Sequence, residues 1–528
     1  MHAALSLMLL CAGAADTVVV CPEEFRPALA PWLAHRAEQG HRCTVVSDIT
    51  SPELIRAAIR RVAKQGELRF VVLVGDAAPV GAEAAEVPPS GVPTYKAKAK
   101  INLRWGSEPE IATDNWYADL DDDDVPDLAI GRLTADSKEE LSLIVEKILA
   151  YERTDDNGPW RRRINLVAAA GRFGPLVDAA VETVTKKFLT DGIPPGYATT
   201  VTYGSWPSPY CPDPRNFHRI SLGRLNEGCL FWVYVGDARR RGLDQVRVPG
   251  ARYPILNVDD ISKLHCERGL PVAIFLACYA GSYDGPRDCL AEEMLRTAGA
   301  PVAVIAGSRV TMPYAMAVFC NGMLAEFFVG RRKTLGEVIL FAKRRMVGPD
   351  AANANRRLLD MLALAINPAR DELAAERAEH LLLFNLIGDP LLRLRQPRTV
   401  RLDVPPQVTA GGDLTIHGTS DVPGTCTVEF VVRRDRLTFD HRPRPVYQPT
   451  DKVLRAYQHV YDRANDPRLL SERVPINGGR FRTRMRVPAE ARGLYHVRVF
   501  VRGERQFAIG AAHVMVRPPP QDSVAGGK

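Results

Sequence analysis

Cys278 stands directly behind an apolar run, Val272 to Leu276, and is followed by a glycine-containing loop, a helical segment and a second apolar run. The pattern predicts strand, loop, helix, strand, with the thiol at the carboxyl end of a buried parallel strand, where open α/β sheets place their active sites. A thiolate there can attack an acyl carbon. A thiol there can also simply pack, because free cysteines are among the most buried side chains. A second stretch, Ala112 to Leu133, carries Asp119, Asp121, Asp123 and Asp127 at the alternate spacing that suits oxygen-ligated calcium. An EF-hand loop would need Gly at its sixth position and Glu at its twelfth. Asp124 and Ile130 stand there, which leaves a calcium site of another geometry or a solvated acidic turn.

Elements must position these residues, and their order is readable. Thr17 to Cys21, Cys43 to Val46 and Phe70 to Val74 are β-branched or apolar runs separated by stretches of helical periodicity. That alternation predicts a mostly parallel sheet flanked by helices. Ala77 to Arg104 reads as a long surface loop. Ser137 and Glu140 predict a capping box ahead of a helix ending near Tyr151. Further strands are expected at Ile164 to Ala168, Thr199 to Tyr203 and Cys229 to Val235, with a helix at Val177 to Leu189. Beyond Pro397, short alternating runs between Gly and Pro predict an Ig-like all-β sandwich, interrupted by a polar insertion from Asp435 to Leu470. Within that insertion, Val453 to Val460 has helical character. The expected organisation is a signal peptide at 1–15, α/β sub-domains at 16–157 and 158–396, a sandwich at 397–517 and a tail at 518–528.

A chain of 528 residues is long enough for two or three domains. Its net charge of +7 is spread thinly and forms no long basic block, which argues against nucleic acid as a partner. Ala3 to Leu10 and Ala12-Gly13-Ala14 have the pattern of a secretory signal peptide, and no later stretch is long and apolar enough to cross a bilayer. Export is therefore expected. Ten cysteines include no C-x-x-C pair, so structural zinc is not expected. A Cys21–Cys43 disulfide is one pairing that export would permit, and spacing does not decide it. Cys278 is expected to stay free.

Four ordered stretches make the chain resemble the gingipain family of cysteine peptidases, whose catalytic domain has a caspase-like α/β fold. They are VVLVGD (Val71 to Asp76), TDNWYADLDDDDVPDLAIGR (Thr113 to Arg132), ACYAGSYD (Ala277 to Asp284) with the following CLAEE, and LIGDPLLRL (Leu386 to Leu394). The resemblance runs from about Thr17 to Leu394 and implies a peptide or protein substrate, with no cofactor needed for the chemistry. Together with the Asp-rich loop it implies a structural calcium ion. It also implies a Cys–His pair, with Cys278 as nucleophile. The family histidine belongs to a Tyr-x-Gly-His-Gly motif, which here reads Tyr234-Val235-Gly236-Asp237-Ala238.

That departure matters chemically. A thiol titrates at about 8.5 and depends on a nearby imidazolium to bring this down. A carboxylate beside the sulfur acts in the opposite direction, and ordinarily titrates at about 4, too low for a good proton donor at neutral pH. Arg239 to Arg241 are placed to offset the charge. His218 and His265 are the alternative histidines near the core, the remaining candidates lying in the C-terminal region. Backbone amides at Gly236 and Tyr279 are expected to line an oxyanion site. Three readings follow: a cysteine peptidase impaired by Asp237, a pseudopeptidase that binds peptide or protein, and a surface adhesion protein.

Overall fold

The computed structural model describes residues 13–47, 51–77, 91–170, 191–348, 353–366, 369–476 and 478–519. Most of the expected signal peptide, the expected helix at 177–189 and most of the tail lie outside them. Ten strands form the central sheet: β1 (Thr17–Val20), β2 (Cys43–Val46), β3 (Phe70–Val74), β4 (Ala129–Leu133), β5 (Arg163–Ala168), β6 (Ala198–Tyr203), β7 (Phe231–Val235), β8 (Val272–Leu276), β9 (Ala303–Gly307) and β10 (Phe384–Ile387). Their spatial order is β2-β1-β3-β4-β10-β9-β8-β7-β5-β6.

All neighbours run parallel except β9 and β10. Two parallel blocks of opposite direction therefore meet at that one antiparallel seam. The two expected α/β sub-domains share a single sheet, joined where β10 pairs with β4 through Ile387 and Arg132. Strands β1, β3, β8 and β9 are buried along their whole length, as continuous apolar runs covered by helices on both faces should be.

The Ser137 hydroxyl caps the helix Lys138–Arg153 by accepting from the Glu140 amide at 3.2 Å. Only half of the predicted box forms, because the Glu140 carboxylate takes the Asp136 amide instead. The stretch expected to be irregular loop contains a strand, Tyr95–Lys98, paired antiparallel with Glu110–Thr113. Cys21 and Cys43 do not bridge. Cys43 pairs with Thr17, four residues before Cys21 on a parallel neighbour, which separates the two by about 13 Å along the strands.

The sandwich strands run from Arg398 to Arg517 in a six-stranded and a three-stranded sheet. Its polar insertion contributes the strand Arg468–Pro475 to the larger sheet and the helix Asp451–Ala464, whose Tyr461 hydroxyl bonds Thr202 of β6 at 2.7 Å. Glu429 joins the sandwich to the α/β unit, held by Arg498 at 2.6 Å and by Arg162 at 3.0 Å.

The closing LIGDP stretch is explained by Asp389. Its carboxylate is fully buried, accepts from Trp32 Nε1 at 2.5 Å and pairs with the fully buried Arg36, fastening the helix Arg26–Glu38 to the end of β10. Arg36 keeps a second buried carboxylate, Glu152 at 2.8 Å, so losing Asp389 should cost the low end of the range for a broken buried pair, about 3 kcal/mol. Asp389→Ala should lower the urea midpoint by that much stability, and an unchanged midpoint would contradict the assignment.

Candidate active site

Register builds the site. Strands β7 and β8 pair in parallel from Phe231 opposite Val272 to Val235 opposite Leu276. Two residues further on, Asp237 and Cys278 leave adjacent strands side by side, where strand spacing is about 4.8 Å. Gly236, at φ 155, makes the exit from β7, and a Cβ there would lie 2.7 Å from the Ala169 Cβ. After Cys278 the chain turns at Tyr279, whose φ of 58 is left-handed for a bulky residue and costs about 1–3 kcal/mol. Two bonds hold it there: its amide donates to the Arg309 carbonyl at 3.1 Å, and its hydroxyl donates to Glu108 at 2.7 Å.

The expected oxyanion amides are therefore both engaged. Gly236 N–H donates to the Leu276 carbonyl at 3.3 Å, continuing the sheet ladder, and Tyr279 N–H is taken by Arg309. The amide aimed at the sulfur is instead that of Thr311, 3.3 Å from Cys278 Sγ, with the Thr311 hydroxyl at 3.7 Å. Gly307 makes this approach possible, because a Cβ there would lie 2.6 Å from the Thr311 methyl. Asp284, at the end of the cysteine loop, is fully buried and bidentate with Arg309, at 2.9 and 2.6 Å.

Cys278 is half-buried, and its thiol is pushed above the ordinary range. Burial is the largest cause, the Thr311 amide and hydroxyl oppose it, and the Asp237 carboxylate adds to it. Asp237 is exposed, and its Oδ1 accepts from the Ala238 amide at 2.9 Å. The arginine run does not supply the expected compensation. Arg240 pairs with Glu108 at 3.2 Å, Arg241 donates to the Asp288 carbonyl at 2.8 Å, and Arg239 points to solvent.

His265 is held by Asn226 and by the Lys263 carbonyl ahead of β8, at the end of the strand opposite Cys278. His218 lies on the helix Phe217–Asn226. Neither is bonded to the thiol. Sequence reasoning missed three residues around the site: Glu108, in the stretch between the Tyr95–Lys98 and Glu110–Thr113 strands, Thr311, and His380, on the helix Arg370–Leu383. Nothing local in their sequence marks them, since each is brought in by long-range packing.

In the acidic loop, carboxylate oxygens of Asp119, Asp121 and Asp127 lie within 4.8 Å of one another. Asp123 is not among them; its Oδ1 accepts the Val125 amide at 2.8 Å. Three oxygen donors suit a hard cation. Two of them already carry cationic partners, Arg56 at 3.0 Å from Asp119 and Arg344 at 3.0 Å from Asp127, and desolvation together with the neighbouring carboxylates pushes Asp121 up. A second acidic group, Asp76, Asp288 and Glu292, encloses Arg296, which lies 2.7 Å from Asp288 and 3.4 Å from Asp76.

A thiol on the carboxyl end of a core strand, under a strained turn and beside the neighbouring strand's exit, defines a cysteine-peptidase-type α/β domain. The chain matches peptidase family C25 over residues 12–395 and belongs to that family. Lys-gingipain of Porphyromonas gingivalis is 22% identical over 292 residues, covering 53% of this chain and 15% of that protein. Gingipain R2 of the same organism is 23% identical over 303 residues, covering 55% of this chain and 36% of that protein. The crystal structure of the Arg-specific cysteine proteinase gingipain R has the same fold, with a TM-score of 0.52 at 15% identity over 96% of this chain and 98% of that one. Among the described residues no helix is long and apolar enough to cross a membrane.

The charge at Asp237 disfavours the thiolate, so removing it should make the thiol more acidic. In Asp237→Asn the inflection of Cys278 alkylation against pH should move down, read by mass spectrometry of the Cys278 peptide. An upward shift would show that Asp237 supports the thiolate.

Proposed function

We propose that this chain is a cysteine-type peptidase of impaired turnover, with Cys278 as nucleophile. The observation that carries the reading is that β7 and β8 pair up to Val235 opposite Leu276, two residues short of Asp237 and Cys278, and that the Asp237 charge acts on the thiol. Hydrolysis requires the sulfur to attack the peptide carbonyl, the C–N bond to break and the departing amine to gain a proton. Deacylation by water then restores the thiol. In a Cys–His pair one imidazole handles both proton transfers. In this reading the Asp237 carboxylate stands in for the imidazole, as a weak base and a poor proton donor to the amine at neutral pH. Its charge also raises the thiol it must deprotonate. An ordinary thiol is only a few per cent ionised at pH 7, and this one is less so. Loss of the base costs several orders of magnitude in comparable nucleophile systems.

The same observation supports a second reading, a pseudopeptidase that keeps the cleft for binding a peptide or protein. A peptide library separates the two. If wild type cleaves and Cys278→Ala does not, the thiol turns over without a histidine. If Asp237→His alone gains activity, by about a hundredfold or more, the site is a decayed peptidase.

A structural calcium ion held by Asp119, Asp121 and Asp127 belongs to the same reading, supported by the convergence of their oxygens. It would neutralise the carboxylates and brace the turn ahead of β4. Chelation should then lower the thermal midpoint of wild type by a few degrees, and leave Asp121→Asn unmoved. Equal midpoints with and without chelator in wild type would exclude the ion.

A further inference from the structure

The helix Arg370–Leu383 presents Glu376, Glu379 and His380 on one face, at the spacing that brings side chains together along a helix. All three are buried, and all three accept backbone amides from other segments. The Glu379 carboxylate accepts from Lys100 at 2.5 Å and from Ile101 and Asn102 at 2.8 Å. Asn102 in turn donates through its side chain to the Val310 carbonyl. Glu376 Oε1 accepts from Ala315 at 3.1 Å, in the first turn of the helix Pro313–Phe328. His380 Nε2 accepts the Met312 amide at 2.7 Å.

An amide nitrogen only donates, so Nε2 must carry the lone pair and Nδ1 the proton, which it gives to the Glu376 carbonyl at 2.7 Å. The ring is fully buried, and burial pushes its pKa down to about 4, which keeps it neutral. It is thus a rigid acceptor one residue beyond Thr311, whose own amide points at Cys278 Sγ.

We infer that His380 is a positioning residue for Cys278: by fixing the Met312 amide it aims the neighbouring Thr311 amide at the sulfur and supports the thiolate. His380 itself does not touch the sulfur. Around the thiol the other groups act differently: Asp237, leaving β7, disfavours ionisation, and the buried Tyr234 of β7 lies close enough to feel the charge. From the β9 side the Thr311 amide is the donor aimed at the sulfur, at 3.3 Å; the Thr311 hydroxyl lies at 3.7 Å but nearer the Met316 sulfur, at 3.1 Å, and the Thr311 carbonyl accepts from the thiol at 3.7 Å. This inference rests on Cys278 being the reactive thiol, but its test needs no turnover.

The test is iodoacetamide alkylation of Cys278 against pH in the full chain, followed on the Cys278 peptide. His380→Phe removes the acceptor and should raise the inflection by about one unit, slowing alkylation about tenfold below it. His380→Gln keeps an acceptor and a donor in place and should restore the wild-type profile. If both variants melt earlier while neither moves the inflection, His380 only packs, and the inference is overturned. Should His380→Phe not fold, hydrogen exchange of the Met312 amide in wild type decides. Strong protection supports the brace, and exchange at the unstructured rate overturns it. Absence of peptidase activity in every variant would instead count against the functional reading alone.

Discussion

The parallel pairing of β7 with β8 is the constraint on which the site depends. Because Val235 lies opposite Leu276, whatever stands at positions 237 and 278 is brought together as the two strands end. Sheet register is specified here by burial on both faces, so the pairing is not open to slippage. The fold would make the same juxtaposition with a histidine at 237. It makes it just as firmly with an aspartate, and the chemistry changes sign while the geometry does not.

Two opposing effects then set the state of the sulfur. Burial and the Asp237 carboxylate favour the thiol, while one backbone amide and one hydroxyl from Thr311 favour the thiolate. The balance falls to the thiol. The nearby arginines do not alter this, because they are paired elsewhere: Arg240 and Arg309 both face Glu108, which also holds the Tyr279 hydroxyl. That arrangement keeps the strained Tyr279 turn in place and leaves little positive charge for the sulfur.

Rigidity around the site comes from buried polar groups satisfied across long sequence distances. Asp284 with Arg309, Asp114 with Arg132, and Glu379 with three consecutive amides each tie a loop to the sheet or to a helix. Such groups carry a large penalty when unpaired, so each fixes one arrangement of its loop. Lys147 does the same by donating to four carbonyls, those of Met294, Leu295, Thr297 and Pro301, at the end of the helix Leu290–Arg296.

By itself the sequence determined the α/β alternation, the place of Cys278 after an apolar strand and the change to a sandwich near Pro397, whereas Asp237 stood out only against the motif of the family it resembles. The first three are local patterns of burial and backbone preference, and each is written within ten or so residues. The tertiary structure decided what depends on partners far along the chain. It closed both α/β halves into one sheet, left Asp123 out of the converging carboxylates, and engaged the Gly236 and Tyr279 amides. It also brought Thr311 to the sulfur and His380 behind it. A hydrogen bond between residues tens or hundreds of positions apart leaves no periodic trace in either segment, and only the packed sheet shows which amide reaches which acceptor.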